Sequence, residues 1–343
     1  KLKPSWKKSS KKRKKFKIDL LRKYLRSRSI VEIFEKNFNS KIFHFDFSIF
    51  NFFMELKEIR LKIESVANIR KLTGALETLS ALKMKKSQKI ALESRPFAQR
   101  LGRLIRRLEP TLRDKVKLRK RKLRTALAVV IASDRGFCGS FNQNILKSAQ
   151  KEIQKLEKKS PVTVLPVGKK AIAFFKKRGR KFGRSITGIG DYGTLEELKP
   201  LSDFIIKSYI ANDYQRVYLV WTDFVSTFSQ KPKMMQLLPL EWNELKEFAC
   251  QSEDVVETAE TAIEPSADML VKEIIPQLAQ YLIYQCVLES NASEHSARMT
   301  AMRNASDNAR ERVAELTLEY NKARQEQITK EVCEISSAKE VLG

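Results

Sequence analysis

The stretch TALAVVIA, from Thr125 to Ala132, is a continuous apolar run rich in β-branched residues. Such a run is typical of a strand that is buried on both faces of a sheet. Two further apolar runs predict strands at Val162 to Val167 and Val217 to Trp221. Helical patterns lie between the strands, at about Asn142 to Lys158, Lys170 to Lys177 and Leu195 to Ala211. Strands that alternate with helices predict right-handed crossovers and helices on both sides of the sheet. The sequence therefore predicts a Rossmann-like α/β domain over residues 125–250.

Upstream of this domain, residues 54–110 are predicted to form a long helix. From Leu56 the apolar residues follow at steps of three and four, at Ile59, Ile63, Val66, Ile69, Leu72, Leu76 and Leu79. Pro96 is expected to end or kink this helix at about Arg95, because proline lacks a backbone donor. A basic linker over residues 111–124 then leads into the first strand.

Downstream of the domain, a linker over residues 251–265 precedes a second long helix, residues 266–343. We expect Pro276 to mark its start, since neither Gly nor Pro occurs between Gln277 and Leu342. The seam of this helix is poor in large aliphatic residues and consists of Tyr281, Gln285, Leu288, Ala292, His295, Met299, Met302, Ser306, Ala309, Val313, Leu316, Tyr320 and Ala323. A helix with so thin an apolar stripe needs partners. We therefore expect the two terminal helices to pair around the inserted α/β domain and to meet other protein beyond it.

The first 53 residues differ sharply from the rest of the chain. They carry 16 Lys or Arg against 4 acidic residues, and they hold 9 of the 19 phenylalanines. A secretory signal needs an unbroken apolar core, and a transit peptide is usually rich in Arg and poor in acids, so neither targeting explanation fits well. An arm that binds nucleic acid is a third possibility. Because Met54 begins a segment of different character, we expect residues 1–53 to be disordered or to lie upstream of the natural start.

The overall composition argues against several kinds of site. The chain has 67 Lys and Arg against 40 Asp and Glu, a formal charge of +27, so its partners are expected to be acidic proteins, a membrane surface or nucleic acid. The four cysteines form no CxxC pair and only two histidines are present, so neither a metal site nor a disulfide scaffold is expected. These residues are Cys138, Cys250, Cys286, Cys333, His44 and His295. No apolar window reaches the roughly 20 residues that cross a bilayer.

The segment SDRGFCG, from Ser133 to Gly139, lies between the first strand and the next helix, where backbone amides can bind phosphate. Its spacing matches neither GxGxxG nor a P-loop, so a tight turn is the favoured interpretation. Cys138 has no histidine near it in sequence, which argues against a nucleophile. The sequence predicts no catalytic site and no cofactor. A basic adaptor protein that binds nucleic acid stays as an alternative function, although no recognition module is visible.

Four segments together resemble the gamma subunit of F-type ATP synthase. They are NIRKLTGALETLSALKMKKSQKIALESRPFAQ at Asn68 to Gln99, SDRGFCGSFN at Ser133 to Asn142, SEHSARMTAMRNASDN at Ser293 to Asn308 and YNKARQEQIT at Tyr320 to Thr329. The resemblance runs from about Met54 to Val341. The two C-terminal segments are the most specific, because a coiled coil alone does not require those polar residues.

The resemblance implies a bent antiparallel coiled coil that turns as a central shaft, in one copy, inside a hexamer of three α and three β subunits. The α/β domain would lie at the foot with the epsilon subunit and the membrane ring of c subunits. Rotation would couple proton flow to ATP synthesis in the β subunits, so this chain would need no active site. The implied location is peripheral, on the cytoplasmic face of a bacterial membrane, with an organellar membrane as the alternative.

Matching single positions to the family, the resemblance implies contacts with the catalytic head at four residues of the C-terminal helix, namely Arg298, Arg324, Gln325 and Thr329. It also implies a role in coupling for Leu76 in the N-terminal helix. The alternative for the two arginines is an ordinary solvated charge on a helix.

Overall fold

The computed structural model describes residues 41–115, 124–239 and 267–342. In chain order, the elements are α1 (Lys41–Lys115), β1 (Ala126–Ile131), α2 (Phe141–Glu157), β2 (Val162–Val167), α3 (Lys169–Lys177), α4 (Leu195–Ile210), β3 (Arg216–Phe224), β4 (Gln230–Leu238) and α5 (Ala267–Leu342). Most of the predicted N-terminal extension, much of the basic linker, the end of the α/β domain and the linker over residues 251–265 lie outside the described residues.

The four strands form one sheet in the order β2-β1-β3-β4. β1 is parallel to both neighbours, and Ala126 lies opposite Val162 on one side and Arg216 on the other. These three strands confirm the predicted alternation of strands and helices. β4 was not predicted, because Pro232 interrupts its pattern; it pairs antiparallel to β3 at the edge of the sheet, where proline is tolerated.

Apolar side chains cover both faces of the sheet. On one face, α2 and α3 contribute a cluster that includes Ile145, Ile153 and Phe175. On the other face, α4 packs together with α5, whose contribution consists of Leu278, Ala279, Leu282, Ile283, Cys286 and Val287. The C-terminal helix is therefore part of the core of the α/β domain as well as an extension from it.

Both long helices pass through a proline, as the predicted ranges 54–110 and 266–343 allow, so neither Arg95 nor Pro276 is a helix end. α1 continues past Pro96 to Lys115, and α5 begins at Ala267, so that Pro276 lies inside it. A proline inside a helix costs about 3 kcal/mol. Near Pro96 the Tyr281 hydroxyl donates to the Ser94 carbonyl at 2.8 Å, a tertiary contact that helps offset this cost. Such contacts between distant segments cannot be read from the local sequence.

The boundary expected at Met54 is not a boundary of secondary structure. α1 begins at Lys41, so residues 41–53 are helical rather than disordered. At its other end α1 includes residues 111–115, which were assigned to the basic linker.

The chain divides into two compact units. One unit, Ile69–Asn308, contains the sheet and the parts of α1 and α5 that pack beside it. The other unit contains the chain up to Asn68 and from Ala309 onward. Within this second unit Leu56 and Leu316 are buried.

Candidate functional site

The turn between β1 and α2 is held by its own polar side chains. Asn142 accepts the backbone N–H of Ser133 at 3.1 Å and donates to the Cys138 sulfur at 3.0 Å. Phe137 has a φ of 61° and Gly139 a φ of 53°, in the left-handed region. Residues other than glycine usually avoid this region, because the backbone is strained there. The Phe137 side chain is also 77% exposed. The turn thus holds an aromatic ring out in solvent at a cost in backbone energy.

The Asp134 side chain joins this turn to two other segments of the chain. One carboxylate oxygen of Asp134 accepts the backbone N–H of Lys169 at 2.7 Å, and the other accepts that of Gly188 at 2.8 Å. Asp134 thus ties the turn to two other segments of the chain, which favours the tight-turn interpretation. Burial raises the pKa of the Cys138 thiol, which makes it a poor nucleophile.

Arg298 on α5 braces the same turn. Its Nε donates to the Gly136 carbonyl at 3.2 Å, and its guanidinium forms an ion pair with Glu294 one helical turn earlier. Only 8% of Arg298 is exposed, so the interpretation as a solvated helix charge is wrong for this residue. Burial raises the pKa of Glu294, and the nearby guanidinium opposes that rise.

His295 lies beside this ion pair and is almost completely buried. Its Nδ1 is 3.3 Å from Arg298 Nη1; because a guanidinium only donates, Nδ1 is the acceptor and the ring proton lies on Nε2. Nε2 points toward Asp191 Oδ1 at 3.6 Å. Burial lowers the pKa of His295 to about 4, although the Asp191 carboxylate acts in the opposite direction. The imidazole is therefore neutral near pH 7.

Asp191 links α1 to the rest of this polar cluster. Lys83 on α1 donates to Asp191 Oδ2 at 2.6 Å, and Asn291 on α5 donates to the Asp191 carbonyl at 3.2 Å. Burial opposes ionisation of this carboxyl, but Lys83 and the surrounding positive charge outweigh it and hold the pKa of Asp191 below its ordinary value. A single loop residue thus joins both long helices.

A recess of about 340 Å³ lies at this carboxyl edge of the sheet. Its lining mixes both signs of charge and includes Asp134, Lys169, Asp191 and Glu294. Among the described residues, no group of His, Cys, Asp and Glu is placed to hold a metal ion. None of the described helices is long and apolar enough to span a membrane.

The other candidate residues occupy different surroundings. Leu76 on α1 is half-buried, and its carbonyl accepts the Ser80 hydroxyl at 2.6 Å. Arg324, Gln325 and Thr329 on α5 have exposed side chains. The structure thus places Leu76 and Arg298 in the unit that contains the sheet and the three other residues in the second unit.

Sequence reasoning missed Lys83, Asp191 and Phe137. Asp191 lies in the glycine-containing loop GIGDYG, residues 188–193, and only the fold brings it to α1 and α5. Phe137 lies inside a segment already singled out, but its exposure depends on a backbone conformation that the sequence does not reveal.

Comparison with known proteins shows which protein family this chain belongs to. The family model described as ATP synthase matches residues 55–342. The ATP synthase gamma chain of Pelotomaculum thermopropionicum is 38% identical over 285 residues, which cover 82% of this chain and 96% of that protein. This chain belongs to the ATP synthase gamma-chain family. The gamma chain of Roseiflexus sp. is 37% identical over 292 residues, covering 84% of this chain and 98% of the relative.

Solved structures agree with the assignment to the gamma-chain family. The central stalk and c-ring structure of Tetrahymena thermophila mitochondrial ATP synthase contains a chain with a TM-score of 0.51 and 26% identity, covering 68% of this chain and 99% of that one. The rotor of Euglena gracilis mitochondrial ATP synthase contains a chain with a TM-score of 0.54 at 19% identity, covering 80% and 99% respectively, which supports the fold alone.

Proposed function

We propose that this chain is the central-stalk rotor subunit of an F-type ATP synthase and couples proton flow to ATP synthesis by rotation. The observation that carries the proposal is the match to gamma chains over residues 55–342, which includes both long helices and the α/β domain. The chemistry of ATP would take place in the β subunits. The polar groups around Cys138 and Asp134 form hydrogen bonds within the chain, which is consistent with a structural role.

We further infer that α1 and α5 form an antiparallel coiled coil. Within the unit Ile69–Asn308, Gly74 approaches Ser306, and Ser94 bonds to Gln285 at 3.0 Å. The contact positions rise along α1 as they fall along α5, which is the order that antiparallel helices require. Gly74 has no side chain, and a Cβ there would lie 3.9 Å from the Ser306 hydroxyl oxygen, so this crossing is close.

The surface of the second unit supports a partner beyond this chain. Leu318, Val332 and Ile335 on α5 are 70%, 59% and 70% exposed. Large apolar side chains at this exposure are stabilised when another protein covers them. The exposed Arg324, Gln325 and Thr329 lie on the same stretch of helix, so we assign them to direct contact with the α and β subunits.

Arg298 and Leu76 have a different role in this proposal. Because Arg298 is buried and hydrogen-bonded to Gly136, it would act on the head indirectly, by positioning the turn that presents Phe137. We propose that Leu76, which is half-buried on α1, contributes to coupling through the packing of that helix. An asymmetric shaft would favour a different conformation of each β subunit at each angle, which is a population shift driven by differential contacts.

The remaining partners follow from the same assignment. The α/β domain would bind the epsilon subunit and the c-subunit ring, one copy of the chain would serve each complex, and no nucleic acid would take part. The chain would be a peripheral protein of an energy-transducing membrane, on its cytoplasmic face in a bacterium.

Co-expression of the chain with the cognate α and β subunits tests the proposal. We expect native mass spectrometry to give one copy with three of each partner, and we expect this complex to hydrolyse ATP faster than α and β alone. We assign Arg324 to the few interface residues whose truncation costs about 2 kcal/mol or more, a group in which arginine is enriched. Exchange of Arg324 and Gln325 for Ala should therefore lower that activation at least tenfold. The matched exchange of exposed Lys322 and Glu326 for Ala should leave it unchanged. A chain that forms no complex with α and β at any salt concentration would contradict the proposal.

A further inference from the structure

Lysine side chains gather at the amino edge of the sheet, where the three parallel strands begin. Lys158 and Lys159 follow α2 and lie just before β2. The segment after α3 reaches the same place, because Arg180 Nη2 lies 2.7 Å from Glu157 Oε1 at the end of α2. The residues that we call the amino-edge lysine cluster are Lys158, Lys159, Lys176, Lys177 and Lys181.

The cluster has an excess of positive charge that the chain does not neutralise locally. Residues 169–184 contain eight Lys or Arg and no acidic residue. The two acids of the neighbouring helix end are already paired, Glu152 with Lys155 and Glu157 with Arg180. All five cluster lysines are exposed, and none forms an ion pair with an acidic residue in the described part of the chain.

The surface around the cluster lacks the features of a specific protein or nucleic-acid interface. The described residues from 138 to 194 include no exposed large apolar side chain, and Ile210, at the end of α4, is a single such side chain at the same amino edge, 67% exposed. Protein interfaces centre on clusters of such anchors rather than on one. The Phe174 ring, which could stack on a base, is covered by the Arg178 guanidinium at 3.5 Å. An anionic lipid surface, in contrast, requires only a density of flexible positive charges.

The cluster lies at the opposite edge of the sheet from Arg298. α5 runs in the same direction as β3, since Trp221 bonds to Glu289 at 2.8 Å and Thr227 to Ser296 at 2.6 Å farther along both. Arg298 follows at the carboxyl edge, where it binds the turn after β1. If the head lies toward Arg298, as the proposed function requires, the amino edge faces away from the head.

We propose that the amino-edge lysine cluster binds the anionic phospholipid headgroups of the membrane beside the rotor. The proposal rests on the proposed function for the orientation of the domain and on the structure for the cluster itself. The binding would be electrostatic and weak, and it would pass from one headgroup to the next as the domain turns. It would hold the foot of the shaft near the membrane surface without a fixed contact.

Flotation of the full chain with phosphatidylcholine vesicles, with and without phosphatidylglycerol, tests this proposal. The test variant exchanges Lys158, Lys159, Lys177 and Lys181 for Gln; the matched control exchanges Lys57, Lys62, Lys71 and Lys85, also exposed, for Gln. Each lysine near an anionic surface contributes about fivefold to the partition coefficient. We expect the test variant to lose at least tenfold in binding to the anionic vesicles and the control less than about threefold. Exchange of the same four lysines for Arg keeps the charge and should keep the binding.

Three outcomes would overturn the inference. Equal losses in the test and control variants would show that only total charge matters. A greater loss of binding to polyuridylate RNA than to vesicles would assign the cluster to nucleic acid. Loss of assembly with the epsilon subunit or the c-subunit ring in the test variant, with vesicle binding intact, would make the cluster a protein contact. Failure of the unmodified chain to assemble would instead contradict the proposed function, so the two proposals fail separately.

Discussion

In helix α5, residues 278–302 are largely buried within the chain, whereas residues 310–335 leave most of their side chains exposed. Leu282 in the first region is 2% exposed and packs in the core of the α/β domain, whereas Leu318 in the second is 70% exposed. One continuous helix therefore has two different uses. The first region packs within its own chain, and the second leaves large apolar side chains exposed.

The polar residues of the two regions show the same difference. Ser293 and Ser296 are fully buried and donate to the backbone carbonyls of Thr222 and Thr227. Arg324 and Thr329 are exposed. A thin apolar stripe in the sequence thus indicates that a helix needs partners, but it does not show whether those partners are within the chain.

The largest expected effect is a cavity in the buried region. Exchange of Leu282 for Ala should lower the free energy of unfolding by about 3 to 4 kcal/mol, because a fully packed leucine is lost from the core. The matched exchange of Leu318 for Ala should change it by less than about 0.5 kcal/mol in the isolated chain. Urea denaturation followed by the fluorescence of Trp221, with Trp6 and Trp242 exchanged for Phe, measures both. Equal effects would mean that the two regions do not differ as described.

The second prediction compares two ion pairs on α5. Exchange of Arg298 for Ala should cost about 3 kcal/mol, because it leaves the buried Glu294 carboxylate without its partner. The double exchange of Arg298 for Met and Glu294 for Gln should restore most of that loss. The Arg312 and Glu315 side chains are 54% and 60% exposed, so exchange of Arg312 for Ala should have no measurable effect. The same urea titration applies, and an Arg312 effect as large as that of Arg298 would refute the comparison.

The third prediction concerns pH and the buried His295. Its pKa is about 4 in the folded chain against an ordinary value of 6.5, so only the unfolded chain binds a proton between these values. Stability should therefore fall as pH falls from about 6.5 to about 4, by about 2 to 3 kcal/mol from this group. Exchange of His295 for Asn should remove that part of the pH dependence. Exchange of His44 for Gln serves as the control; a curve unchanged by the Asn exchange would show that His295 titrates normally.

The smallest expected effect is at the turn that Arg298 supports. Exchange of Phe137 for Gly should stabilise the isolated chain by about 0.5 kcal/mol, because relief of the left-handed strain at a φ of 61° exceeds the added entropy that glycine gives the unfolded chain. The same exchange should weaken activation of the α and β subunits if the ring contacts the head. Stabilisation without any change in that activation would restrict Phe137 to a structural role.

The sequence predicted the parallel strands because their apolar runs are continuous and local. It failed at β4, where Pro232 interrupts the pattern, and at Pro96, where a contact from Tyr281 helps hold the helix. The three exposed residues on α5 that we propose as contacts came from the family resemblance, and the structure leaves them accessible. The burial of Arg298 and the link from Lys83 to Asp191 depend on residues more than a hundred positions apart, which no local pattern records.

Rotation of a single labelled complex tests the central proposal most directly. The head would be fixed through its β subunits, and a probe would be attached to the exposed Ser185 after its exchange for Cys, with Cys250 and Cys333 exchanged for Ser. We expect the probe to turn in one direction while ATP is hydrolysed and to stop when ATP is exhausted. ATP hydrolysis by an intact complex in which the probe stays fixed relative to the head would contradict it.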